Sequence, residues 1–260
     1  MSIASYRRWK ETPNVSTPYL SVIIPAYNEA ERILPTLGAI ATFVSSQGYE
    51  WELIVSDDGS KDDTAKVVGG LDWENLELLS DGINRGKGGA IARGVEHAKG
   101  EYLLLADADQ STPIEQLPAF ISCAVDNQAE VVIGSRSLEA SEVANKSGFR
   151  NLLSNGLNSI VRMVFRLDLS DTQCGFKLLE AKNAKKIFDV SIIEGFSFDL
   201  EMLYIAKNAG LKIKELPVEW HDAPDSKVDG ARVAFRFLTD MPMILVNRFK
   251  GSYRLGRIER

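Results

Sequence analysis

Five short apolar runs, each closed by a polar loop and each separated from the next by a helical pattern, constrain this chain more than anything else in it. Leu20-Ser-Val-Ile-Ile24, Trp51-Glu-Leu-Ile-Val55, Leu76 to Leu79, Leu103 to Leu105 and Val131-Val-Ile-Gly134 read as buried strands. A first helix is predicted from Asn28 as N-cap, with Ile33, Leu37, Ile40, Ala41 and Val44 at helical spacing. Others are predicted from about Asp62 to Val68, from the Asn84-Arg-Gly-Lys-Gly-Gly89 loop through Ala98, and from Pro113 to Val125. Alternation of this kind predicts an α/β fold with a Rossmann-like, doubly wound, mostly parallel sheet and helices on both faces. Ligands of such sheets bind outside the carboxyl ends of the strands. That rule places Pro25–Glu29, Asp57–Ser60, Asn84–Gly89, Asp107–Asp109 and Ser135–Arg136 along one rim.

The second half is less regular. Phe149 to Phe165 reads as an amphipathic helix, and Asp171-Thr-Gln-Cys-Gly-Phe-Lys177 as a turn into a short strand. Ala181–Phe188 and Phe198–Ala209 read as helices, Leu211 to Leu216 as an alternating strand, and 231–249 as a last helix. Residues 1–18, with Pro13 and Pro18, read as a tail.

The most chemical stretch is Glu101-Tyr-Leu-Leu-Leu-Ala-Asp107-Ala-Asp109. A strand end can turn both carboxylates toward a cleft, and Mg²⁺ commonly takes one or two carboxylates plus phosphate oxygens of a substrate. The pair is either a solvated loop or the holder of a metal that neutralises a diphosphate. The glycine loop has two readings as well: a flexible helix entry, or backbone amides and Lys87 facing a diphosphate at a helix N-terminus. It is not a Walker loop, because Gly88 follows Lys87 and Asp81 stands where the first glycine belongs. Ile91 breaks a dinucleotide fingerprint. Asp57 or Asp58 can accept hydrogen bonds from a base or ribose, or be an ordinary loop pair. Arg136 and Arg150 are surface residues or phosphate holders. Lys227, beside Ser226, is a further cation or a solvated one. His97 and His221 stand beside no nucleophile motif.

Charge narrows the partners. A net charge of −6 argues against coating nucleic acid. Residues 231–260 nevertheless carry seven Arg/Lys against two Asp/Glu, a local +5. Two cysteines, Cys123 and Cys174, exclude a disulfide framework and read as free thiols in a reducing cytoplasm. No apolar run approaches the roughly 18 residues needed to cross a bilayer. The expected location is cytoplasmic, with peripheral contact at the cytoplasmic face of a membrane.

Taken in order, Ser21-Val-Ile-Ile-Pro-Ala-Tyr-Asn-Glu29, Val55-Ser-Asp-Asp-Gly-Ser60, Asn84–Gly89, Ala106-Asp-Ala-Asp109 and Gly134-Ser-Arg136 resemble glycosyltransferase family 2, inverting enzymes of GT-A type fold. Asp171–Lys177, Phe198-Asp-Leu-Glu-Met-Leu203, Glu215-Leu-Pro-Val-Glu-Trp220 and Ser226-Lys227 are similar to its polyprenyl-phosphate branch. The resemblance implies transfer of a hexose from a nucleotide diphosphate sugar, UDP-glucose first and GDP-mannose second, to a polyprenyl phosphate of dolichyl type. By motif, Pro25, Tyr27, Asn28, Glu29, Asp57, Asp58, Lys87, Asp107 and Ala108 lie near the donor. Asp107 and Asp109 hold Mg²⁺ or Mn²⁺, with Ser111 at the position of a further ligand where mannosyl enzymes often carry Gln. Arg136, Arg150, Ser226 and Lys227 meet the acceptor phosphate, and Asp171 takes the position of the catalytic carboxylate.

The resemblance divides the chain into a tail (1–18), a catalytic domain (19–228, with a nucleotide-sugar half to about 136 and an acceptor half beyond it) and a basic helix and tail (229–260). In that helix Val233, Phe237, Met241, Ile244 and Leu245 run beside Arg232, Arg236 and Arg248. The stripe either packs on the protein's own sheet or lies on an anionic membrane surface. Two rival functions remain at this point: a transferase with a soluble hydroxyl acceptor, for which Asp171 must be a general base, and a catalytically silent nucleotide-sugar-binding protein.

Overall fold

The structure is a computed structural model that describes residues 18–144, 161, 163–221 and 230–255. Seven strands form one sheet: β1 (Leu20–Ala26), β2 (Trp51–Asp57), β3 (Leu76–Ser80), β4 (Tyr102–Leu105), β5 (Val131–Ser135), β7 (Lys177–Glu180) and β8 (Ile213–Pro217), in the order β3-β2-β1-β4-β7-β5-β8. β6 (Glu142–Ala144) and β9 (Glu219–His221), unforeseen in the sequence, pair as a separate parallel ribbon. The helices are α1 (Ile33–Val44), α2 (Thr64–Gly69), α3 (Lys87–His97), α4 (Leu117–Asn127), α5 (Ala181–Val190), α6 (Phe198–Asn208) and α7 (Gly230–Lys250). Of the helix expected at 149–165, only residue 161 and residues 163–165 lie within the described part.

The central strands are apolar on both sides because both sides are covered. Alternate residues serve opposite cores. Ile23, Ile54, Leu103, Leu105 and Ile133 pack with α3, α5, α6 and α7. Val22, Ile24, Leu53, Val55, Leu104 and Val132 pack with α1, α2 and α4. β1 pairs in parallel with both β2 and β4, and the helix face changes there: α1 and α2 lie on one side, α3 on the other. This is the switch point of a doubly wound sheet, the place where such folds open a crevice.

One strand departs from the parallel pattern. β7 runs antiparallel to both neighbours, β4 and β5. Its entering turn, rather than its exit, therefore reaches the same rim as the carboxyl ends of β1, β2, β4 and β5.

Two local expectations are corrected. Asn28 does not cap α1; that helix begins at Ile33, and Asn28 sits in the left-handed region at φ 57°. Its Oδ1 instead accepts the Lys61 amide at 2.7 Å, tying two rim loops together. The helix expected from Pro113 opens as a 3₁₀ turn, Ile114–Gln116, before α4. In α7, Phe237, Met241 and Ile244 are buried in the core beneath α3, α5 and α6, so that stripe serves the protein's own interior.

Gly94 lets α3 lie directly on β1: a Cβ there would stand 2.5 Å from Ile23 Cγ2. Gly94→Val is expected to destabilise the fold by about 2–3 kcal/mol through overpacking. A urea titration would read this as a lower midpoint with unchanged slope, and an unchanged midpoint would mean that α3 can lift without loss.

Candidate active site

β4 ends at Leu105, and the turn that follows leaves Asp107 and Asp109 half-exposed on the rim. Three contacts shape the turn. Thr36 Oγ1 of α1 donates to the Ala108 carbonyl at 2.7 Å. The Ser111 amide and hydroxyl donate to Asp109 Oδ1 at 3.0 and 2.8 Å. Lys87, the first residue of α3, places its Nζ 2.6 Å from Asp107 Oδ1. Gly175 stands against the same carboxylate: a Cβ there would fall 2.0 Å from Asp107 Oδ2. Only glycine leaves room at that point.

The loop that delivers Lys87 is braced from below. Asp58 accepts the Arg85 amide at 2.7 Å and the Gly86 amide at 2.9 Å. Asp57, almost fully buried, accepts the Ser80 hydroxyl at 2.9 Å and the Ser60 amide at 3.3 Å. The Asn28 and Glu29 amides donate to Ser60 Oγ and Thr64 Oγ1 at 2.9 and 2.7 Å. Tyr27 projects from this lattice, 43% exposed.

Across the rim, Arg136 at the end of β5 meets Asp171 in the turn entering β7. Nε donates to Oδ2 at 2.6 Å, Nη2 to Oδ1 at 2.9 Å, and the Arg136 amide to Oδ2 at 3.0 Å. The Gln173 amide adds a fourth bond, to Oδ1, at 3.0 Å. An ionised carboxylate has about four acceptor positions, and Asp171 has all of them filled. Burial works to raise its carboxyl, but the Arg136 charge and these hydrogen bonds outweigh it and hold it at about 2. Glu215 of β8 accepts the Ser170 and Asp171 amides at 2.8 and 3.0 Å, which fixes the turn itself. Trp220 lies under the Arg136 guanidinium, 5.5 Å from ring centre to Cζ.

Between the two groups stands a pair that sequence reasoning missed. Lys177 is fully buried and donates to Asp199 Oδ1 at 2.5 Å and to the Cys174 carbonyl. Both residues lie inside stretches quoted for the family resemblance, but one is a strand lysine and the other a helix aspartate. No local spacing pairs them. Burial pushes Asp199 up against the pull of Lys177 and Lys87. It also opposes the charge on Asp107, yet Lys87, Lys177 and Arg136 together hold that carboxyl below its ordinary value. Burial likewise disfavours the Lys87 ammonium, which Asp107, Asp199 and Asp109 more than restore.

The structure thus brings Lys87, Asp107, Asp109, Arg136 and Asp171 onto one rim, with Ala108 and Ser111 in the same turn and Pro25 at the end of β1. Arg150, Ser226 and Lys227 lie outside the described residues. As for a metal, no group of three or more His, Cys, Asp or Glu is gathered to hold one among the described residues. Two rim carboxylates and the Ser111 hydroxyl are hard oxygen donors, and Asp109 Oδ2 takes no hydrogen bond among the described residues. Such a set fits Mg²⁺ or Mn²⁺ whose remaining ligands come from a diphosphate.

The sheet and its helices have the fold of GT-A glycosyltransferases. Mannosyl-3-phosphoglycerate synthase from Rubrobacter xylanophilus superposes with TM-score 0.67 at 17% identity, covering 100% of this chain and 86% of its own. Glucosyl-3-phosphoglycerate synthase from Mycobacterium tuberculosis, with phosphoglyceric acid, gives 0.65 at 16%, covering 87% and 80%. Within that class the chain belongs to glycosyltransferase family 2: the family described as Glycosyl transferase family 2 matches residues 21–188. It is similar to dolichyl-phosphate beta-glucosyltransferases of Trichomonas vaginalis (36% identity, 83% of this chain, 68% of that one) and Dictyostelium discoideum (35%, 91% and 77%). The human dolichyl-phosphate beta-glucosyltransferase is 33% identical over 94% of this chain and 80% of its own.

Asp171 ionises at lower pH in the folded than in the unfolded chain. Its stabilisation is therefore complete above about pH 4 and is lost as pH falls through about 2. Stability measured by urea between about pH 5 and 2 is expected to fall less steeply in Asp171→Asn than in the wild type. Parallel slopes would remove Asp171 from the linked groups.

Proposed function

We propose that the protein is a metal-dependent, inverting hexosyltransferase that moves glucose from UDP-glucose to a polyprenyl phosphate of dolichyl type. The observation that carries this reading is the charge arrangement of the rim. Asp107, Asp109 and Lys87 stand at the switch point, Lys87 Nζ 2.6 Å from Asp107 Oδ1, and Asp107 lies within electrostatic reach of Arg136. The names of the relatives at 33–36% identity point the same way. A GT-A neighbour at 18% identity, the M. tuberculosis glucosyl-3-phosphoglycerate synthase, has been solved with Mn²⁺, uridine diphosphate and glucosyl-3-phosphoglycerate.

In this reading the Pro25–Glu29 and Asp57–Asp58 loops and Lys87 embrace the nucleotide and its diphosphate. Asp107 and Asp109, with Ser111 beside them, hold Mg²⁺ or Mn²⁺, which supplies Lewis-acid stabilisation of the departing diphosphate. Arg136 receives the acceptor phosphate, joined by motif by Arg150, Ser226 and Lys227. A phosphate monoester with a second pKa of about 6 is mostly dianionic at neutral pH, so it attacks without a base. Asp171 suits that chemistry: with its four acceptor positions occupied, it orients Arg136 and takes no proton. A hydroxyl acceptor would need a general base, and Asp171 offers no free lone pair to serve as one.

A panel of UDP-glucose, UDP-galactose and GDP-mannose, each with a short polyprenyl phosphate and with or without Mn²⁺, tests the reading. Lipid-linked glucose should form from UDP-glucose, and only with the cation. Asp109→Ala should lower turnover by about 10²–10³-fold, the scale of losing one electrostatic element of a transition state. Product formed equally in chelator, or from GDP-mannose alone, would overturn the metal or the donor assignment respectively.

We propose also that the outward side of α7 rests on the membrane that carries the acceptor. Among the described residues no helix is long and apolar enough to cross a bilayer. With its inner stripe buried, α7 still presents Leu238, Val246 and Phe249 to solvent, Phe249 at 86% exposure. Arg236, Arg254 and Lys250 are exposed nearby. Apolar side chains beside cations suit an anionic interface, each cation adding about 1 kcal/mol. Vesicles containing phosphatidylserine should retain the protein at low salt and release it at high salt. Phe249→Ser with Val246→Ser should weaken retention several-fold, and equal recovery with and without vesicles would exclude the contact.

A further inference from the structure

Glu201 of α6 is fully buried and remote from the rim in sequence, yet it is joined to the Lys87 loop through a short run of hydrogen bonds. Its Oε2 accepts the Ile193 amide at 2.9 Å, and both carboxylate oxygens accept the Ile192 amide at 3.1 Å. These bonds fix the turn between α5 and α6. That turn is the seat of the glycine loop. The Gly89 amide donates to the Glu194 carbonyl at 3.1 Å. A Cβ on Gly86 would stand 2.6 Å from Glu194 O, and one on Gly88 2.5 Å from Ile193 O. Lys87 lies between those two glycines, and its Nζ meets Asp107 at 2.6 Å. The loop has no slack against the turn, so a displaced turn must displace Lys87.

The other end of Glu201 faces the C-terminal segment. Tyr253, just beyond α7, donates its hydroxyl to Glu201 Oε1 at 2.7 Å. Arg248 of α7 donates to Tyr204 of α6 at 2.5 Å and stacks on its ring at 5.5 Å. α6 is thus clasped from outside by the end of α7, while its own carboxylate holds the turn on which the Lys87 loop sits. Burial raises the Glu201 carboxyl, and the Tyr253 hydroxyl and the two amides oppose that rise. Removing any of these donors leaves a buried carboxylate less satisfied, which favours movement of the turn.

We infer that Glu201 is a positioning residue for Lys87, and that Tyr253 completes it, so that seating the C-terminal segment sets the geometry of the donor side of the rim. The structural coupling stands on the contacts alone; its consequence for nucleotide binding rests on the function proposed above. Seating of α7, the helix proposed to meet the lipid surface, would then order the site that holds the donor.

The test uses the full chain and two readouts. In amide hydrogen exchange without ligand, Tyr253→Phe and Glu201→Gln should speed exchange about fivefold or more in segments 190–196 and 85–94. Exchange in α1 should be unchanged. In calorimetry with UDP and Mn²⁺, Tyr253→Phe should weaken binding about three- to tenfold, but not in a Lys87→Ala background, where the group being positioned is gone. Faster exchange confined to 190–196, or equal acceleration everywhere, would overturn the coupling. So would an equal loss of affinity in both backgrounds. If the wild type does not bind UDP, the donor reading falls, and the exchange pattern still decides whether Glu201 positions the loop.

Discussion

Asp107 keeps its charge at the end of β4 because Lys87, Lys177 and Arg136 stand around it. Removing a carboxylate from water is unfavourable by several kcal/mol unless opposite charge and hydrogen bonds replace the solvent. Here the compensation is mutual. Lys87 leans on Asp107, Asp199 and Asp109, and Arg136 leans on Asp171. Four carboxylates and three cations form one cluster, in which the Lys177–Asp199 and Arg136–Asp171 pairs are the buried ones and leave a buried charge if either partner is removed. The small negative excess at Asp109 is the part turned toward solvent, where a divalent cation and a diphosphate would meet it.

That cluster could not assemble on a purely parallel sheet. β7 enters between β4 and β5 in the opposite direction, which carries its leading turn, with Asp171, Cys174 and Gly175, to the rim where the parallel strands finish. Arg136 arrives from β5 on one side of it and Asp107 from β4 on the other. Gly175 permits the contact, since any side chain would occupy the space of the Asp107 carboxylate. Topology sets the turn of Gly175 against the Asp107 carboxylate, and electrostatics makes the placement tolerable.

A second theme is the use of carboxylates as braces. Asp58 holds the Arg85–Gly86 amides, Glu215 the Ser170–Asp171 amides, and Glu201 the Ile192–Ile193 amides. Each ties down a loop that bears or adjoins a rim residue. Charge-assisted bonds of this kind are roughly twice as strong as neutral ones, so three acidic side chains add rigidity to these loops. An acidic residue at a strand end is consequently ambiguous. The motif puts Asp57 and Asp58 beside the nucleotide, and in the fold their carboxylates also brace Ser60, Ser80, Arg85 and Gly86. Spacing alone does not say whether a carboxylate faces a ligand or a neighbouring amide.

Much of the architecture was legible because it is written in local chemistry. Runs such as Leu20–Ile24, short, β-branched and closed by polar loops, read as strands covered on both faces, and their order with intervening helices pointed to a doubly wound sheet whose polar loops share a rim. The acidic pair, the glycine loop and Arg136 followed from those strand ends. What tertiary structure decided was everything that depends on residues distant in the chain. Asn28 left its helix to bond Lys61, β7 reversed direction, Lys177 found Asp199, and Tyr253 reached back to Glu201. None of these has a periodic or motif signal, because each joins residues far apart in the chain, and only the folded chain determines which partner is within reach.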